Sequence, residues 1–153
     1  FAREGWKALK TLADAALHFE TSRIYPGIPE YFSTDGRGVY HYLTGAASWF
    51  MLTMITEVFG VRGEAGDLLL APQLTAEQFD ETGTAELRLT FAGRPLTVRY
   101  HNAARKEAGS YRLGEVRCGE TAVTPGAAGT VKLPRALVEQ LPAEGGLITA
   151  ELV

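Results

Sequence analysis

At 153 residues, 46% hydrophobic and 22% charged with a net charge of −3, the chain has the make-up of one ordinary globular domain. The mild acidity argues against nucleic acid or an anionic membrane as main partner, and no stretch reads as a signal peptide or membrane span. The lone Cys118 excludes an internal disulfide framework and a cysteine-based metal site, and a cytoplasmic protein is the expectation.

Residues 4–19 place Trp6, Leu9, Ala13, Ala16 and Leu17 three and four apart, with Lys7, Lys10, Thr11 and Asp14 elsewhere. This pattern predicts an amphipathic helix. Residues 20–43 follow as a long connection, because Pro26, Gly27, Pro29, Gly36 and Gly38 forbid a long helix. Loops of that length are usually functional or disordered. Phe19, Tyr25, Tyr31, Phe32, Tyr40 and Tyr42 argue for order. With Glu20, Glu30, Asp35, Arg23, Arg37 and His41 among them, they read either as a wall of a polar-ligand site or as an aromatic plug closing a helical bundle.

The next helix is predicted to start at Thr44 or Gly45 and to stop at Gly60. Thr44 can cap its first turn, and Gly60 suits the left-handed position that ends helices. Ala46, Ala47, Trp49, Phe50, Met51, Leu52, Met54, Ile55, Val58 and Phe59 cover nearly every side, and Glu57 is the one ionisable group. A helix apolar all round must be covered all round, and this one is shorter than the roughly 20 residues that cross a bilayer. It is therefore expected as the buried helix of a large domain.

After the glycine-rich segment at residues 62–66 the texture becomes strand-like. Asp67–Pro72 is a short strand. Ala85, Leu87, Leu89 and Phe91 alternate with polar residues, as do Leu96, Val98 and Tyr100, and 92–94 joins the two as a hairpin. Tyr111 to Cys118 forms a strand with a bulge at Gly114, and Gly119-Glu120 turns it back into Thr121–Val123. Thr130–Leu133, a short helix from Pro134 to Leu141, and a strand from Leu147 to Val153 complete an antiparallel sandwich. The chain opens at Phe1 inside a helical pattern without an initiator methionine, and its apolar helix needs more cover than one neighbour gives. The expectation is an α+β fragment of a larger protein, helical over 1–62 and all-β over 63–153.

His18, His41 and His101 stand apart, and there is no metal-ligand spacing, GxSxG elbow, Walker loop or dinucleotide fingerprint. No metal or cofactor is expected. What the residues offer is an anion site at the helix entrance, where Thr44, Gly45 and backbone N–H groups meet the positive helix end. The dipole contributes only about 0.3–1 kcal/mol near a surface, so Arg23, Arg37 or His41 must join.

The ordered run Tyr25-Pro26-Gly27-Ile28-Pro29-Glu30-Tyr31-Phe32, Gly36-Arg37-Gly38, Tyr42-Leu43-Thr44-Gly45-Ala46-Ala47-Ser48-Trp49, Phe59-Gly60-Val61-Arg62, Gly66-Asp67-Leu68 and Ala71-Pro72 resembles the C-terminal part of the glycoside hydrolase family 94 phosphorylases. Its first segment is most like the 1,2-β-oligoglucan phosphorylase branch. The likeness covers residues 1 to 80, and Ala46 stands where many members carry Ser or Thr.

The resemblance implies that residues 1–62 end an (α/α)6 catalytic barrel and that 63–153 form a jelly-roll-like C-terminal β-sandwich. The implied reaction is inverting phosphorolysis of β-linked gluco-oligosaccharides, with β-1,2 linkages foremost, releasing glucose 1-phosphate. Phosphate is already an anionic nucleophile, so its binding site stands in for the base that an inverting hydrolase needs. The resemblance places phosphate on Thr44 and Gly45 and sugar against Glu20, which matches the family's glutamate only with a one-residue gap. The loop's own residues add His41 beside the phosphate and Tyr25, Tyr31 and Arg37 as a wall for the sugar. The general-acid aspartate lies upstream of the matched region, so no catalytic residue is expected here. Implied partners are inorganic phosphate, the oligosaccharide and the remainder of the same polypeptide, with no nucleic acid or membrane and room for a homodimer. Two other readings stay open: a carbohydrate-binding or structural β-domain, and the phosphorylase-like module of a cyclic β-1,2-glucan synthase.

Overall fold

The computed structural model describes residues 1–41, 44–126 and 129–153. The chain is α+β and divides into two compact units, Phe1–Met54 and Ile55–Val153. That division falls upstream of the one expected after residue 62.

In the helical unit, α1 (Ala2–Leu17) is the expected amphipathic helix. Its end is closed by a one-turn helix, α2 (Phe19–Ser22), inside what the sequence suggests is loop. The buried Ser22 hydroxyl donates to the Ala16 carbonyl at 2.9 Å, satisfying one of the acceptors that a helix leaves unpaired at its end. A two-residue hairpin follows, β1 (Tyr31–Phe32) against β2 (Gly38–Val39). Helix α3 then runs over Ala46–Thr53 and loosens into a π-helical turn at Met54–Val58.

The expectation that this helix is buried on every side fails within this chain. No residue of α3 is buried, and Trp49, Met51 and Leu52 are 68%, 57% and 47% exposed. The described residues do not supply the cover that its apolar sides require.

The β unit begins where that helix ends, and backbone chemistry explains why. The carbonyl of Val58 accepts the Gln73 N–H at 2.9 Å and that of Gly60 accepts the Ala71 N–H at 2.8 Å. Between them, the Phe59 carbonyl accepts the hydroxyl of the fully buried Tyr100 at 2.8 Å. The helix exit is thus bonded into the sheets.

A three-stranded sheet has the order β3-β4-β9 (Val61–Glu64, Asp67–Leu70, Val131–Leu133). A five-stranded sheet has the order β5-β6-β10-β7-β8 (Thr84–Phe91, Arg94–His101, Gly146–Leu152, Leu113–Cys118, Thr121–Val123). Ala65-Gly66 and Ala92-Gly93, all four at positive φ, make the two-residue turns of β3–β4 and β5–β6. Opposite Ala150–Leu152 the register slips by one residue on β7, putting the bulge at Gly114-Glu115 as expected.

The all-antiparallel expectation needs one correction: β10 runs parallel to β6, pairing Gly146 with Leu96 through Glu151 with His101. Helix α4 (Arg135–Val138) precedes β10 and is capped from a distance, with Asp67 Oδ1 accepting the Arg135 N–H at 2.9 Å. The core is apolar on both sheets. Leu68, Leu70 and Leu133 come from one, and Val98, Tyr100, Val116 and Ile148 from the other, all at most 0% exposed.

Across the parallel pair, His101 Nδ1 donates to Glu151 Oε2 at 2.8 Å. This hydrogen bond and the charge of Glu151 raise the imidazole pKa above its ordinary 6.5, with smaller help from Asp80. A raised histidine pKa stabilises the fold fully below the unfolded value, and that contribution is lost as pH rises through the folded one. In denaturation series from pH 6 to 9, the deficit of His101→Gln relative to the parent is therefore expected to shrink with rising pH. A pH-independent deficit would contradict the pairing.

Candidate functional site

The segment between α1 and α3 folds around its glycines. A Cβ on Gly36 would meet Thr21 Cγ2 at 2.7 Å, and one on Gly38 would lie 3.0 Å from Pro29 Cγ and closer still to Ile24. The hairpin can therefore lie directly on the end of α2, with Arg37 exposed between its two glycines. The Ser33 hydroxyl donates to the Asp35 carboxylate, and the Ser33 N–H donates to the Arg37 carbonyl at 2.9 Å. These bonds fix the hairpin tip. With the Arg37 N–H and charge, the Ser33 bond holds Asp35 below the usual carboxylate range, so it is ionised at neutral pH.

Against this hairpin opens a cavity of about 780 Å³ lined by Arg23, Asp35, Arg37, Tyr40 and His41, with Ile24 and Val39 among its apolar parts. Two linings are backbone outliers. Arg23 closes α2 at φ 56, and Tyr40 follows β2 at φ 53. Each costs about 1–2 kcal/mol for a side chain with a Cβ, and such strain clusters at functional sites. Among the described residues the Arg23 guanidinium makes no hydrogen bond or ion pair, whereas His41 does have a partner interaction.

Of the residues expected to act, the structure brings Arg37 and His41 to this one cavity. Tyr25 instead packs edge-on against Phe19 at 5.1 Å, and Tyr31 leans on Tyr40 at 5.8 Å. Both remain exposed, at 79% and 49%. Glu20 stands exposed in the first turn of α2. None of these three lines the cavity.

Thr44 and Gly45 form the mouth of α3, also outside the cavity lining. The Thr44 hydroxyl oxygen accepts the Ala46 N–H at 3.0 Å. Gly45, not Thr44, holds the cap position of α3, so this bond lies just ahead of the helix; it occupies an acceptor lone pair and leaves the hydroxyl hydrogen free to donate to an anion. Gly45 is pressed by Trp49, whose Cδ1 would lie 2.9 Å from an added Cβ. Tyr42 and Leu43, the first residues of the Tyr42–Trp49 motif, lie outside the described residues.

Asp35 and Tyr40 appear in the sequence only as members of a polar, aromatic loop, and Arg23 only as one of three cations that could join an anion at the helix entrance. No local signal marks them, since left-handed positions are announced by Gly or Asn and here they carry Arg and Tyr. Among the described residues no group of three or more His, Cys, Asp or Glu is placed to hold a metal ion. None of the described helices is long and apolar enough to cross a membrane. Cys118 is buried in β7, and burial pushes its thiol pKa up. Comparison with family models and with curated proteins returns no match for the chain.

Proposed function

We propose that this chain is the C-terminal portion of a cytoplasmic inverting glycoside phosphorylase acting on β-linked gluco-oligosaccharides. The helical unit is read as the end of an (α/α)6 barrel and the β unit as its jelly-roll-like companion. Thr44 and Gly45 contact the phosphate that attacks the anomeric carbon, and the hairpin supplies one wall of the site. The general acid belongs to another part of the polypeptide.

The observation that carries this reading is the mouth of α3. A threonine whose acceptor is engaged by Ala46 keeps its proton for an anion at the positive end of an eight-residue helix. The exposed Trp49, Met51 and Leu52 add support, because a barrel wraps such a helix with neighbours.

In the full-length protein, Thr44→Ala is expected to weaken use of phosphate by about 1–3 kcal/mol, the value of a bond to a charged group. Thr44→Ser should retain most of it. Steady-state kinetics with varied phosphate read both, and unchanged phosphate dependence in Thr44→Ala would remove the site assignment.

A further inference from the structure

We propose that β5 is the docking edge for a second copy of this chain, the two β5 strands pairing antiparallel about a two-fold axis at Leu87. β5 ends the five-stranded sheet and, among the described residues, pairs with β6 alone. Such an edge is a row of open N–H and C=O groups, a template for another strand.

The hairpin decides which groups are open. Across a two-residue turn the closing pair is hydrogen-bonded, here Phe91 with Arg94, and bonded pairs recur at every second residue. Leu89, Leu87 and Ala85 therefore commit their backbone groups to β6, while Thr84, Glu86, Arg88 and Thr90 turn theirs outward. At Thr84 the outward groups are already taken: its N–H donates to Asp80 Oδ1 and its carbonyl accepts the Asp80 N–H, each at 2.9 Å. Asp80 closes that end of the edge, and Glu86, Arg88 and Thr90 remain open.

Charge selects the occupant and the register. A second β5 centred on Leu87 sets Glu86 opposite the partner's Arg88, and Arg88 opposite the partner's Glu86. Moving the axis one residue either way sets Glu86 against Glu86 or Arg88 against Arg88, and like charges directly opposite are destabilising. Arg88 is 82% exposed and gives only its Nε to Glu86, at 3.0 Å, so the rest of its fork is open to the partner. On the inward face Leu87 meets the partner's Leu87, and Leu89 the partner's Ala85. Both leucines are only half-buried, whereas Val98 and Leu96, their neighbours on β6, are buried. A second strand covers what this edge leaves open. The pairing does not rest on the proposed reaction and uses no residue assigned to it.

The test is sedimentation equilibrium of the full-length protein, with a dimer expected at micromolar concentration. Arg88→Glu and Glu86→Arg each set like charges opposite one another and should weaken that dimer about 10- to 100-fold. Mixed together, the two variants should associate with each other, because every opposed pair is again of unlike charge. Leu87→Cys keeps all the charges and should crosslink to its own copy under mild oxidation, since Cα atoms about 4.5 Å apart lie within disulfide reach. Leu89→Cys, away from the axis, should not, and the parent is the control for other thiols.

A monomeric parent overturns the proposal, and so does a dimer unchanged by both charge reversals. Failure of the mixed variants to associate overturns the register, as does crosslinking through Leu89→Cys instead of Leu87→Cys.

Discussion

Gly60→Ala is expected to remove at least about 4 kcal/mol of stability from the β unit, beyond the range of ordinary substitutions. Two effects add. Gly60 sits at φ 64, where a Cβ alone costs about 1–2 kcal/mol. That Cβ would also overlap the carbonyl of Ala71, the residue whose N–H bonds back to Gly60. Backbone opposes backbone there, so no side-chain rotation relieves the clash. Domains of this size hold only about 5–15 kcal/mol in total, which leaves the variant barely folded.

Gly66→Ala is the internal control: its φ is 93, yet nothing lies within 4 Å of the added Cβ. It should cost only the backbone penalty, about 1–2 kcal/mol. Urea denaturation of the two variants separates clash from strain. Equal losses would show that the junction between the helix exit and β4 is not held as described.

Asn102→Asp is expected to cost about 3–5 kcal/mol at neutral pH, as an uncompensated buried charge does. Asn102 is fully buried and grips the following loop from both sides. Its Nδ2 donates to the Lys106 carbonyl and its Oδ1 accepts the Lys106 N–H, each at 2.9 Å. Aspartate turns the donor into a negative oxygen facing a carbonyl oxygen.

Protonation restores that donor, so folding raises the new carboxyl's pKa above the usual 3.9 or so. The deficit is then smallest below the unfolded pKa and grows as pH rises through the folded one. Denaturation midpoints of parent and variant at pH 4 and pH 7 measure it. A deficit that does not change with pH would mean the amide is not the clamp.

Most of the β unit is legible in the sequence because its strands alternate. Leu87, Leu89, Val98 and Tyr100 announce a face, and a hairpin turn of small residues needs nothing distant. What escapes are features set by partners far away in the chain. β10 has the pattern of any half-buried strand, and nothing in it says that it joins β6 in parallel.

The helical unit shows the same limit at its site. The loop's aromatics and charges signal order, but the close approach of Gly36 and Gly38 to Thr21 and Ile24 decides which of them meet. Arg37 and His41 come together at the cavity; Glu20, Tyr25 and Tyr31 do not. Arg23 reaches the cavity because α2 stops in a left-handed turn, which an arginine does not advertise.

The measurement that bears most directly on the proposed reaction is product analysis of the full-length protein with inorganic phosphate and β-1,2-linked glucose oligomers. The phosphorylase reading predicts phosphate-dependent release of α-configured glucose 1-phosphate, inverted relative to the β linkage, and no release without phosphate. Free glucose released at the same rate with or without phosphate, or intact oligomers throughout a β-linked panel, would contradict it.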